Sequence, residues 1–170
     1  MRDSRDIVSL WLIPTEPDAA RFQTVIDGLA AQQGAPRFAP HISLGSFVGE
    51  TPHLDPLLSL LSGLVSLPKG VDRSTVFTTS LFVRFEPTDQ LKAARQWLEA
   101  LSTFRKRRSF DPHISLCYGP PLDEDKFAAE IGDLCAQPVR FDRLRLMRIW
   151  VPVETHDDVA RWSQLDELEF

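Results

Sequence analysis

One seven-residue pattern, Phe-x-Pro-His-Ile-Ser-Leu, occurs twice in this chain and constrains its fold more than any other feature. It runs from Phe38 to Leu44 and again from Phe110 to Leu116, 72 positions later. In a strand, residues two apart share a face, so His41 and Ser43 lie together while Ile42 and Leu44 take the opposite side. The second copy divides the same way, with His113 and Ser115 against Ile114 and Leu116. Each strand therefore has one polar face and one core face. Four such polar groups buried without partners would cost roughly 1 to 3 kcal/mol each. They are expected to line a wet cleft or to pair with one another, which brings two imidazoles and two hydroxyls into one site.

The surrounding pattern reads as α+β. Ile7 to Ile13 is a strand ended by Pro14, and 17–33 is a helix ended by Gly34 and Pro36. The first repeat is a strand over 41–48. A short helix is predicted from Thr51 as N-cap, with Pro52 at the first helical position, through Ser62. Strands follow at 64–67 and 75–85 around a Pro68-Lys69-Gly70 turn. Leu91, Ala94, Leu98 and Leu101 share one face of a helix over 89–101. After the second repeat strand come a helix over 122–135, a long strand over 139–153, a short helix around 157–162 and a strand near 165–170. This order predicts two similar halves, each an antiparallel sheet flanked by helices. At 170 residues the chain is read as a single domain.

Bulk properties narrow the function. No run approaches the roughly 20 apolar residues that cross a bilayer, and the amino terminus lacks the pattern of a secretory signal. A soluble, cytoplasmic protein is expected. Cys117 and Cys135 lie far apart and are read as reduced thiols. The net charge of −5 argues against a long nucleic acid as ligand and leaves a small anion open. The basic run Arg105-Lys106-Arg107-Arg108 just before the second repeat is either a solvated loop or a phosphate-attracting rim.

Two imidazoles facing across a cleft can divide acid and base work near neutrality. Phosphoryl centres suit that arrangement, because attack and departure are roughly in line and need a base and an acid on opposite sides. The hydroxyls would hold non-bridging oxygens as charge builds. Zinc is disfavoured, since the histidines lack ligand spacing and the cysteines are isolated. A Ser-His-Asp hydrolase is disfavoured, since no Gly-x-Ser-x-Gly occurs. No metal and no cofactor is expected. His53 and His156 fall at predicted helix starts and are read as surface residues.

The paired His-x-Ser-Leu strands resemble the two-histidine (2H) phosphoesterase superfamily, and within it the cyclic phosphodiesterases. Ser9-Leu10-Trp11-Leu12-Ile13-Pro14, Ser80-Leu81-Phe82-Val83 and His113-Ile114-Ser115-Leu116-Cys117-Tyr118-Gly119 carry the likeness beyond the repeat. The resemblance implies a bilobal, pseudo-twofold fold spanning 1–170, with two intertwined lobes, one His-x-Ser motif per lobe, and two antiparallel sheets lining a central cleft with helices outside. It implies an enzyme that opens nucleoside 2′,3′-cyclic phosphates or ADP-ribose 1″,2″-cyclic phosphate to leave a 2′-phosphate nucleotide or ADP-ribose 1″-phosphate; a monomer is expected. His41, His113, Ser43 and Ser115 would be the catalytic set, and Trp11 and Tyr118 would flank the substrate. The working order takes His113 as general base for water and His41 as general acid; the sequence leaves the reverse order open. Tyr118 has odd parity from His113, so the strand must twist or end by Gly119 to bring it to the cleft. Cys117 shares parity with His113 and Ser115 and is placed to approach the cleft. Two other readings stay open: an RNA 2′-5′ ligase, phosphodiesterase or end-processing enzyme of the same superfamily, acting on RNA ends, and a noncatalytic nucleotide-binding module.

Overall fold

The computed structural model describes residues 5–106 and 109–170. Among the described residues eight strands and five α-helices follow in the order β1 (Arg5–Pro14), α1 (Asp18–Gln33), β2 (Ile42–Phe47), α2 (Asp55–Leu61), β3 (Val65–Ser66), β4 (Pro68–Arg73), β5 (Leu81–Phe85), α3 (Asp89–Glu99), β6 (His113–Cys117), α4 (Ala128–Leu134), β7 (Val139–Val151), α5 (His156–Ala160) and β8 (Ser163–Glu169). The strands pair antiparallel in the order β3-β7-β1-β2-β6-β5-β4, with β8 sharing the outer edge of β7. The α+β class expected from the sequence is what the chain forms.

The two repeat strands meet at a narrow joint. β2 and β6, the two repeat strands, lie side by side and pair through Ile42 opposite Ile114. The sheets expected as two are thus joined into one strand order. The outer neighbour of β1 is the distant β7, whereas the outer neighbour of β5 is β4, the strand just before it in the chain. α1, which connects β1 to β2, packs on β6, and α3, which connects β5 to β6, packs on β2.

The core face follows the pattern read from the repeat. Ile42, Leu44, Ile114 and Leu116 are fully buried, in one cluster with Phe22, Val25, Ile26 and Leu29 of α1 and Leu91, Ala94 and Leu98 of α3. Removing an aliphatic side chain from such a cluster typically costs 2 to 5 kcal/mol, or ~3 kcal/mol on average. Local signals fix several boundaries. α1 stops at Gly34, whose φ of 61° is left-handed and free of a Cβ penalty. Thr88 caps α3 by accepting from the Leu91 N–H at 3.2 Å.

Four predicted elements differ. α2 begins at Asp55 behind Leu54, with Pro56 rather than Pro52 in its first turn, and Thr51 is not its cap. Pro68-Lys69-Gly70 is no turn; Pro68 opens β4, an edge strand where a missing N–H leaves no ladder bond unmade. The predicted strand over 75–85 starts only at Leu81, because residues 77–79 form one turn of 3₁₀ helix. The predicted helix over 122–135 divides into a 3₁₀ turn at 124–127 and α4.

Among the described residues, no helix is long and apolar enough to cross a membrane.

Candidate active site

The motif backbone prepares each histidine before any ligand arrives. In both copies the residue ahead of proline is held extended by the proline ring, and proline's own φ is locked. That geometry turns the carbonyl of the residue two before the histidine onto the imidazole. His41 Nδ1 lies 2.7 Å from Ala39 O, and His113 Nδ1 lies 2.8 Å from Asp111 O. A carbonyl only accepts, so each Nδ1 carries the hydrogen and each neutral ring leaves its Nε2 lone pair available. The Phe-x-Pro-His pattern is therefore a tautomer lock, written twice.

Both rings line one cavity of about 770 Å³. All six residues singled out in the sequence, Trp11, His41, Ser43, His113, Ser115 and Tyr118, stand on its wall. They do so in unequal environments. His41 is 6% exposed and lies flat on Trp11, with ring centroids 3.6 Å apart and planes 8° from parallel. Burial, the larger cause, together with repulsion from His113 and Arg145, pushes its pKa down to about 3, against the opposing pull of the Ala39 carbonyl. His41 is a neutral imidazole at pH 7. His113 is half-buried and meets Phe82 edge-on, at 5.1 Å and 61°. The serines differ as well. Ser43 is exposed on the cavity wall, whereas Ser115 is buried and donates to Thr78 O at 2.6 Å.

A bulge settles where Tyr118 and Cys117 go. Phe82 pairs with Ser115 but Leu81 pairs with Cys117, so Leu116 is an extra residue in β6. The bulge reverses the parity beyond it, and β6 then ends at Cys117. Tyr118 is thereby turned to the cavity, buried against Phe38 at 4.0 Å and Trp162 at 5.7 Å. Its hydroxyl pKa is raised by burial. Cys117, expected to approach the cleft by its parity with Ser115, is instead turned away for the same reason. It is 3% exposed, its Sγ accepts from Gln33 Nε2 at 3.2 Å, and burial raises its pKa. Cys117 and Cys135 are both free thiols.

β2 carries the same bulge at the same motif position. Trp11 pairs with Ser43 and Leu10 with Gly45, which leaves Leu44 extra. The equivalence shows a second repeat that the sequence reading passed over: Ser9-Leu10-Trp11-Leu12 and Ser80-Leu81-Phe82-Val83 lie 71 positions apart. Trp11 and Phe82 are matching residues, each an aromatic laid against its own half's histidine. The signal was the spacing, within one residue of that of the histidine motif.

Other wall residues also escaped the sequence reading. Trp162 contacts Trp11 at 5.3 Å, and its Nε1 is buried with no hydrogen-bond partner among the described residues. Arg95 lines the cavity from α3 and is 7% exposed. Of the basic run, Arg105 lines the cavity and Lys106 is exposed, while Arg107 and Arg108 lie outside the described residues. His156 does begin α5, yet it is not a plain surface residue: it is half-buried, with Nε2 3.1 Å from Tyr118 O. His53 is exposed and pairs with Asp55 at 2.9 Å.

Compared with known proteins, the chain is similar over most of its length to a cyclic phosphodiesterase. That protein is from Arabidopsis thaliana, and 131 aligned residues, 24% identical, cover 74% of this chain and 72% of the relative. No protein-family model matches the chain.

Proposed function

We propose that this protein is a cyclic phosphodiesterase that opens small nucleoside 2′,3′-cyclic phosphates or ADP-ribose 1″,2″-cyclic phosphate by two-histidine acid and base catalysis. One observation carries the reading: two imidazoles, locked in the same tautomer by the same motif, share one cavity. The similarity to a protein named cyclic phosphodiesterase supports the same class of reaction. The matched bulges and the crossed helix packing support reading the chain as a single domain of two intertwined lobes related by an approximate twofold, with one motif in each.

We assign the roles in the reverse of the working order. His41, held neutral with Nε2 unprotonated, suits the base that takes a proton from water. His113, the better solvated ring, then carries the proton that the leaving oxygen needs. Water oxygen attacks phosphorus, the bond from phosphorus to the ribose 3′-oxygen breaks, and His113 protonates that oxygen. The product is a 2′-phosphate, and His41 returns its proton to solvent in the next cycle. An anion seated beside His41 raises its proton affinity, bringing it up toward a useful basicity. Ser43 donates to a non-bridging oxygen. Ser115 reaches the phosphate only by exchanging its Thr78 bond. Trp11 holds the His41 ring in plane, and Tyr118 closes the adjoining wall.

The test is a substrate panel in EDTA-containing buffer, with the product's phosphate position read by ³¹P NMR. Adenosine 2′,3′-cyclic phosphate should give adenosine 2′-phosphate. Activity confined to a tRNA half-molecule would move the protein to RNA-end chemistry, and tight binding with no product over hours would make it a nucleotide-binding module.

A further inference from the structure

The cavity extends along β2 past the imidazoles, and its wall there is cationic. Arg95 is fixed on all sides but one. Its Nε donates to Glu99 Oε1 at 2.7 Å and its Nη1 to Leu44 O at 3.0 Å. The rings of Phe104 and Phe110 lie 4.8 and 5.3 Å from its Cζ. Nη2 is left buried, with no hydrogen-bond partner among the described residues. Arg105, whose backbone N–H donates to Ser46 O at 2.8 Å, has its Nη1 in the same condition. Both arginines line the cavity.

This arrangement is costly for a protein without a ligand. A guanidinium keeps its proton in proteins, so neither residue can relieve its burial by becoming neutral. Each buried donor without an acceptor is destabilising. Both nitrogens are closed to solvent as the side chains stand, so an anion's oxygens would satisfy them once the guanidiniums turn toward the cavity they line, in the charge-assisted geometry that arginine gives phosphates. Among the described residues Asp111 is the one acidic side chain in the lining, and it pairs with Arg84 at 3.2 Å. With Glu99 offsetting Arg95 and Arg84 offsetting Asp111, the charge of Arg105 is left on this wall, inside a chain of net charge −5.

The cradle is built into the strand. A Cβ at Gly45 would lie 2.2 Å from the Phe104 ring, so glycine is what lets that ring lie on β2 beneath Arg95. Leu44 and Ser46, whose carbonyls hold the two arginines, are three and five residues past His41. At about 3.3 Å per residue that is roughly 10 to 17 Å of backbone. A ligand touching both ends must carry its second anionic group away from the reacting phosphorus.

We propose that Arg95 and Arg105 form a second anion subsite, which selects cyclic phosphates bearing a further phosphoryl group, such as one on the 5′-oxygen, over those without it. Its effect on turnover rests on the hydrolase reading above; its binding of an anion does not.

Two assays separate these. In the first, adenosine 2′,3′-cyclic phosphate is compared with its 5′-phosphorylated form. Wild type should favour the latter in kcat/KM by about 10- to 100-fold, mostly through KM. In Arg105→Gln, a half-exposed position where folding is safe, that ratio should fall to within about 3-fold of unity. Gly45→Ala, which displaces Phe104 from beneath Arg95, should shrink it too. In the second, calorimetry follows adenosine 5′-diphosphate, which has no cyclic phosphate to open. Arg105→Gln should weaken its binding about 10-fold. Equal kcat/KM for both substrates, a ratio undisturbed in Arg105→Gln, or diphosphate binding that ignores Arg105 would overturn the subsite while leaving hydrolysis standing. If neither substrate is turned over but diphosphate binding needs Arg105, the hydrolase reading fails and the subsite stands.

Discussion

The half that holds His41 and the half that holds His113 begin from the same seven-residue pattern and end in different physical chemistry. Both copies lock Nδ1 onto the carbonyl two residues back, both place an aromatic against the ring, and both contain a bulge at the motif leucine. The difference is solvation. On one side a tryptophan lies flat on the imidazole and excludes water, which pushes its pKa to about 3; on the other a phenylalanine touches the ring by its edge and leaves it half-buried. The serines trade places, the exposed one beside the buried histidine and the buried one beside the half-buried histidine. On the proposed mechanism, a repeated motif supplies two like groups, and unequal burial is what would fit them for unequal tasks.

The largest expected effect tests whether both halves are needed. His41→Ala and His113→Ala should each lower kcat by at least about 10²-fold, the usual scale for a positioned acid or base. Steady-state rates on a cyclic nucleotide check this, and near-normal turnover in either variant would remove that residue from the chemistry. Their pH profiles sharpen the point: loss of His41, the base, should remove the limb on which rate rises with pH.

Next in size is a difference in stability that only the His41 half should give. Its native pKa of about 3 lies below the ordinary 6.5, so between those values the unfolded chain binds the extra proton. The stabilisation is complete above pH 6.5 and is lost as the pH falls toward 3. From pH 7.5 to 5 the loss amounts to about 2 kcal/mol. Urea unfolding at the two pH values should show a slope smaller by about that amount in His41→Gln than in wild type. Equal slopes would mean that His41 titrates normally.

The serines should separate along the same line. Ser115→Ala leaves Thr78 O without its donor and should cost about 1 to 2 kcal/mol of stability. Ser43→Ala, at an exposed position, should change stability by less than about 0.5 kcal/mol and instead lower kcat/KM about 10-fold, the scale of one hydrogen bond to a charged oxygen. The aromatics that face the two histidines should differ as well. Phe82→Leu removes one edge contact and should shift stability by about 1 kcal/mol, while Trp11→Leu, which uncovers a whole imidazole face, should shift it more.

Much of this arrangement was legible in the residues. The alternation in His-Ile-Ser-Leu told which side of each strand was core, and Ile42, Leu44, Ile114 and Leu116 are all buried as that pattern requires. The repeat also foretold that both histidines would face one cavity. What could not be read was set by register and by tertiary contact. A bulge at Leu116 is invisible in a periodicity of two, and it is what turns Tyr118 in and Cys117 out. The depth at which His41 sits depends on Trp11 from another strand. Arg95 stands among the apolar positions of α3 and reads as an ordinary helix cation until Phe104 and Phe110 enclose it. The strand at Pro68 was missed because Pro-Lys-Gly is good turn chemistry that an edge strand also tolerates.

The most direct test watches the ring nitrogens of His41 and His113 by ¹⁵N NMR, first across pH 4 to 8 and then through a titration with adenosine 2′-phosphate. His41 should stay neutral, with hydrogen on Nδ1 alone, over that whole range in the unliganded protein, and one equivalent of the nucleotide should move the Nε2 signals of both rings together. A His41 that titrates near 6.5, or a nucleotide that disturbs one ring and not the other, would contradict the account.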